Sequence, residues 1–188
     1  MIRVFAKEFI SICYDKHMKE VVWVFGTSAS GKETFIKSVL KDAILLEQLG
    51  WKYKSVVACE QSTKFIGQFK RDPKIILRES IIKKVPTLLS SADVVLIKWQ
   101  FVDSQTSRPQ RLKEAIPEAQ HRIILLNTPE SELIERLARK KWWHDYGEEK
   151  EFISKELSMV GDCIKQLSPE FMTTTLNSGT YSNYRPSL

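Results

Sequence analysis

Between Gly26 and Thr34 the chain reads GTSASGKET, small residues bracketed by two glycines and followed at once by a lysine. Such a run can hold an anion. Gly26 and Gly31 let the main chain curl with its N–H groups pointing inward, and Thr27, Ser28, Ala29 and Ser30 are too small to cover those donors. Lys32 then reaches a β- or γ-phosphate as a point charge. The preceding residues, VVWVF, are an apolar, β-branched and aromatic run. The following ones fall into a helical pattern whose free N-terminal donors and dipole add to the attraction. Strand, G-x-x-x-x-G-K, helix is a phosphate-binding loop in the context it requires. ATP is the expected ligand. The usual motif places Ser or Thr directly after the lysine, as a magnesium ligand; here that residue is Glu33, and Thr34 follows.

The elements that must position this loop alternate along the chain. Val21–Phe25 reads as the first strand. A helical stripe through Phe35, Ile36, Val39, Leu40, Ala43, Ile44 and Leu49 predicts one helix stopped by Gly50. Ser55–Cys59, Asp93–Trp99, His121–Asn127 and Phe171–Leu176 read as further strands. Asp72-Pro73 and Thr128-Pro129-Glu130 look like helix starts, Pro86 should kink or restart the helix it lies in, and Pro109–Ile116 and Glu149–Leu167 carry helical patterns. Strands alternating with helices imply an α/β fold, a doubly wound parallel sheet of about five strands in three α/β/α layers. The site must then lie at the carboxyl edge of the strands. Residues 1–20 are an N-terminal extension in which Phe5, Phe9 and Ile12 have helical spacing, residues 21–176 form the domain, and 177–188 (NSGTYSNYRPSL) carry no core pattern and read as a flexible tail.

The length, 188 residues, suits one core, and the net charge of +6 favours anionic partners: ATP and, as a candidate, DNA. Cys13, Cys59 and Cys163 are scattered, as reduced thiols of a cytoplasmic protein would be, with no zinc spacing. The first twenty residues lack the long apolar run of a signal peptide or a membrane span.

Three absences narrow the class. No N-K-x-D or T-K-x-D run follows an apolar strand, the third strand ends in Lys98-Trp99 rather than Asp-Glu, and no transporter signature is present. The loop resembles that of the nucleotide-kinase branch of the P-loop proteins, in which glycine-lysine-any-threonine is common. The resemblance implies that Thr34 faces the α-phosphate, with a role at magnesium to which Asp103, in the loop after the third strand, is a second candidate. It also implies a small mobile lid after the fourth strand, at about 136–148, where the sequence is RLARKKWWHDYGE. Arg136 and Arg139, three apart on one helix face, would stabilise the transferring phosphoryl group, the alternative being a solvated face for them and for Lys140 and Lys141. Trp142 and Trp143 either pack on the core or stack on a base.

A kinase acting on a hydroxyl needs a carboxylate near the acceptor. Glu60, just past the second strand and expected beside the loop, resembles the glutamate that ends this strand in deoxynucleoside kinases, although Gln61 stands where they carry proline. Asp103 is the alternative. Arg71 and Arg78 would hold an acceptor phosphate or be surface charges. In its Gly-Lys-Glu-Thr loop, compact size and basic charge the chain is most similar to the phage-type P-loop kinases that phosphorylate 5-hydroxymethyluracil in DNA. A deoxynucleoside monophosphate or nucleoside kinase, or an ATP-binding regulatory module without transfer activity, would share the loop.

Overall fold

A computed structural model describes residues 18–59, 73–99, 107–139 and 148–178, with the backbone only for 73–80 and 107. Five strands, β1 (Glu20–Phe25), β2 (Val56–Cys59), β3 (Val94–Lys98), β4 (Gln120–Asn127) and β5 (Met172–Asn177), form one parallel sheet in the order β2-β3-β1-β4-β5. Among the described residues six helices accompany them: α1 (Lys32–Val39), α2 (Ala43–Gln48), α3 (Pro73–Ser91), α4 (Ser107–Ala115), α5 (Glu130–Ala138) and α6 (Glu149–Leu167).

The loop strand is central because it is apolar on both faces, and all six residues of β1 are buried. Alternation sorts its side chains into two cores. Val21, Trp23 and Phe25 face α3, α4 and α6 through Val85, Leu89, Leu112, Ile116, Val160 and Leu167. Val22 and Val24 face α1 and α2 through Phe35, Ile36, Val39 and Leu45. The result is the expected three-layer α/β/α sandwich. A third, smaller cluster joins α5 to α6 through Leu133, Leu137 and Ile153, with Ala29 of the loop packed against it.

The second strand does not flank the loop strand, since β3 lies between them; Glu60, which follows β2, is outside the described residues. Burial explains the order, since Val94–Ile97 are fully buried whereas Val56–Ala58 are only partly covered, as suits an edge. The long helix after the loop is two helices, because Asp42 adopts an extended backbone and its carboxylate caps α2 by accepting from the N–H groups of Ile44 and Leu45. Helix α3 is continuous through Pro86, so the proline does not restart it, and Ile81, Val85 and Leu89 hold it on the core. Asn177 and Ser178, expected in the flexible tail, are part of the packed structure: Asn177 pairs with Asn127 in the sheet, and the buried Ser178 donates to Glu132 at 2.8 Å. Among the described residues no helix is long and apolar enough to cross a membrane.

Candidate functional site: the loop at the carboxyl edge of the sheet

The loop leaves β1 through Gly26, whose φ of 152° and surroundings both demand glycine: an added Cβ would stand 2.7 Å from the Ser30 hydroxyl and 3.0 Å from the Leu126 carbonyl of the neighbouring strand. Gly31 closes the loop at φ 87° as the residue preceding α1, and the first helical bond runs from Phe35 N–H to its carbonyl. Between them Ala29 holds a left-handed φ of 62°, a conformation that costs a non-glycine residue about 1 kcal/mol or more.

Lys32 turns back into the loop. Its ammonium donates to the carbonyls of Gly26 at 2.8 Å and Thr27 at 2.6 Å and lies 3.5 Å from the Ser30 hydroxyl. The positive charge is thereby held against the main chain at the start of the loop. Thr128, directly after β4, is buried and its hydroxyl lies 3.4 Å from the Ser30 carbonyl, closing the loop from the other side.

Two helices grip the tip. Arg136 on α5 donates to the Ala29 carbonyl at 3.2 Å and is itself braced by Glu132. Glu156 on α6, buried, takes the Ser28 N–H at 2.6 Å and the Ser28 hydroxyl at 2.7 Å on its two oxygens. The strain at Ala29 is therefore over-determined by three contacts: a guanidinium on its carbonyl, a carboxylate on its neighbour, and its methyl against the small α5–α6 cluster.

On the opposite flank, Lys98 at the end of β3 is register partner to Val24 and lies 3.7 Å from Glu33. Glu33 also pairs with Lys37 one turn on, at 2.8 Å. The hydrogen bond from Lys37, then the charge of Lys98, hold its carboxyl below the ordinary range.

The structure thus brings together Gly26 to Thr34, Arg136 and Lys98. Arg139 stands apart, exposed at the end of α5 and paired with Glu135. Glu60, Asp103, Arg71, Lys140, Lys141, Trp142 and Trp143 lie outside the described residues, as does the side chain of Arg78.

The sequence reading missed Glu156, Thr128 and the use of Lys98. A signal existed for the first: Ile153, Glu156, Val160, Cys163 and Leu167 form one buried stripe, and an acid in such a stripe requires a partner. For Lys98 the signal was a charge ending an otherwise apolar strand.

Magnesium beside a phosphate loop is ordinarily held by the hydroxyl that follows the lysine and by an aspartate ending a neighbouring strand. The described residues do not offer that pair: a carboxylate follows Lys32, the hydroxyl is displaced to Thr34, and an ammonium ends β3. Nor do they contain a group of three or more His, Cys, Asp or Glu arranged to hold a metal ion.

No family model and no curated protein sequence matches the chain. Solved structures do. A toxin–antitoxin structure, the PezAT chromosomal system of Streptococcus pneumoniae, is similar at a TM-score of 0.54 and 16% identity, over 87% of this chain and 70% of that one. Deoxyadenosine kinase from M. mycoides, solved with dCMP and dCDP, is similar at a TM-score of 0.51 and 13% identity, over 85% and 91% of the two chains. At these identities the likeness is one of fold. With the central loop strand and the all-parallel order, it gives this chain the fold of the P-loop kinases.

Proposed function

We propose that the chain is an ATP-dependent phosphotransferase that moves the γ-phosphoryl group to a hydroxyl on a nucleotide-like acceptor. The observation that carries the reading is the loop itself, with Lys32 turned inward at the carboxyl edge of the central strand. In the transfer the bond from the γ-phosphorus to its bridging oxygen breaks, a bond to the acceptor oxygen forms, and the hydroxyl proton passes to a carboxylate. Glu60 is proposed for that proton and Asp103 is the alternative. Lys32 and the inward N–H groups hold the donor phosphates. Arg136, already on the loop, and Arg139, at the end of the same helix, would bear on the charge of the moving group. The protein oxygens proposed for a magnesium ion carried in on the triphosphate are the Thr34 hydroxyl and Asp103.

The acceptor we propose is the 5-hydroxymethyl group of 5-hydroxymethyluracil in DNA. It is supported by the resemblance of the Gly-Lys-Glu-Thr loop and by the net charge of +6, since an enzyme working on a polymer must engage several backbone phosphates. A free deoxynucleoside or its monophosphate is the second reading, favoured by the fold likeness to deoxyadenosine kinase. Incubation with γ-labelled ATP and either hydroxymethylated duplex DNA or the matching free nucleotide, across a salt series, separates them. Label in DNA that declines steeply with salt supports the first. Label in the free nucleotide with inert DNA replaces it by the second, and tight ATP binding without transfer to any acceptor would make the chain a nucleotide-dependent regulatory module.

A further inference from the structure

The flank of the loop that departs from the common motif departs at two places at once, and the two departures touch. Glu33 replaces the hydroxyl residue and Lys98 stands where a strand would present its aspartate; their charged groups are 3.7 Å apart. Strand alternation directs this meeting. Trp99 is fixed on the other face of the sheet by its ring against Phe25, at 4.3 Å, and Trp23, at 5.6 Å, so Lys98 shares the α1 face with Val94 and Leu96. Its side chain is only 23% exposed, a costly place for an ammonium, whereas Glu33 is 64% exposed.

The charges also balance in an informative way. One oxygen of Glu33 is taken by Lys37, which leaves the Lys98 ammonium as one unit of positive charge beside the loop. A divalent ion held by a single aspartate presents the same net charge to a triphosphate.

We propose that Lys98 is a phosphate-binding residue. Its ammonium, held over the first turn of α1 by Glu33, neutralises the β- or γ-phosphate of a bound nucleoside triphosphate from the side where the fold otherwise keeps its metal and carboxylate. Glu33 is the anion that the phosphate displaces. The assignment rests on the proposed nucleotide site and goes beyond it by naming a second cation and a weakened reliance on metal for binding.

The test is ATP binding to the full chain by calorimetry, in EDTA and in magnesium, for wild type, Lys98→Met, Lys98→Arg and Glu33→Gln. Wild type is expected to bind ATP in EDTA. Lys98→Met should weaken that binding about tenfold to a hundredfold, the range of a lost charge-assisted hydrogen bond. The loss should be smaller in magnesium, and Lys98→Arg should restore most of it. Glu33→Gln should tighten binding in EDTA, because a competing anion is gone. Unchanged affinity for Lys98→Met in EDTA would overturn the proposal and leave Lys98 an ordinary ion pair. Weakening of Glu33→Gln confined to magnesium would overturn it too, making Glu33 a metal ligand. Failure of wild type to bind ATP in either buffer removes the nucleotide site itself, a result distinguishable from both.

Discussion

Two glutamates are buried at opposite edges of the same sheet, and they keep different company. Glu20 begins β1 at the amino edge, where the Trp51 indole donates to it at 2.7 Å and Arg122 and Lys54 approach at 3.6 and 4.0 Å. Arg122 is fixed in turn over the Trp51 ring and on the Thr174 hydroxyl. Each of these partners of the carboxylate is a side chain, two of them cations against its single negative charge, and the group closes that end of the sandwich. Glu156 at the carboxyl edge meets a main-chain N–H and a hydroxyl of the loop. The first carboxylate completes a structure; the second holds in shape the loop proposed to bind the nucleotide. Burial alone does not separate the roles. The identity of the donors does.

The difference predicts where substitutions register, beginning with the largest. Lys32→Ala should lower phosphoryl transfer by about 10³-fold or more, with the unfolding midpoint little changed, because its ammonium bonds to the loop carbonyls of Gly26 and Thr27. Transfer kept at a substantial fraction of wild type would remove the functional character of the carboxyl edge altogether.

Glu20→Ala should act in the opposite sense. It leaves the charge of Arg122 and the indole N–H of Trp51 without their carboxylate in a closed setting, at a cost of about 3–5 kcal/mol in urea unfolding. ATP affinity of the folded fraction should be unaffected. A variant as stable as wild type would show that the amino-edge cluster contributes geometry without stability.

Glu156→Ala should be milder on stability, about 1–2 kcal/mol for two hydrogen bonds at a part-buried site, and disproportionate on function. With the Ser28 bonds gone, the left-handed Ala29 loses one of its three restraints and the loop's donors lose alignment, so kcat should fall about tenfold. Equal kcat in the variant and wild type would make the two glutamates alike after all.

The comparison also locates what the sequence could and could not disclose. The loop was legible because its conformation depends on residues within one short run: Gly26 and Gly31 appear at the positions where positive φ is required, and Lys32 follows. The strands were legible as apolar runs, since a strand buried on both faces needs nothing else. Their order was not, because the same runs say how deeply a strand is buried and not which strand it pairs with, and neither run tells that β3 rather than β2 lies beside β1. The break at Asp42 was written in the sequence as a capping residue but was masked by an apolar stripe that continues across it. The partners of the loop lie far along the chain, Arg136 and Glu156 more than a hundred residues from the groups they hold, and no local pattern couples them. Both edges therefore conceal their decisive contacts in the same way.

The smallest predicted effect belongs to the amino edge and distinguishes it by pH. His121, at the start of β4, is buried, and its Nε2 lies 2.9 Å from the Ile116 carbonyl, so that nitrogen carries the proton of the neutral ring. Among the described residues Nδ1 has no partner. Protonating it would place a second N–H in a buried position without an acceptor, and burial accordingly holds the pKa below the ordinary 6.5, with Lys113 adding to the effect against the opposing Ile116 carbonyl and Glu118. The folded state resists a proton that the unfolded chain accepts. Stability is thus fully present above pH 6.5 and falls as the pH drops below it toward the folded-state value. Asp93, whose carboxyl is held low first by the Ser55 N–H and hydroxyl and then by Lys19, contributes in a separate window: its stabilisation persists until the pH falls below 3.8 and through its folded value. Urea unfolding at pH 7.5 and about pH 5.5 should therefore show a loss in wild type that His121→Met abolishes and Asp93→Asn preserves. The same decline in the His121→Met protein would assign the pH response to another group, and its absence in wild type would mean that the imidazole finds an acceptor when it is charged.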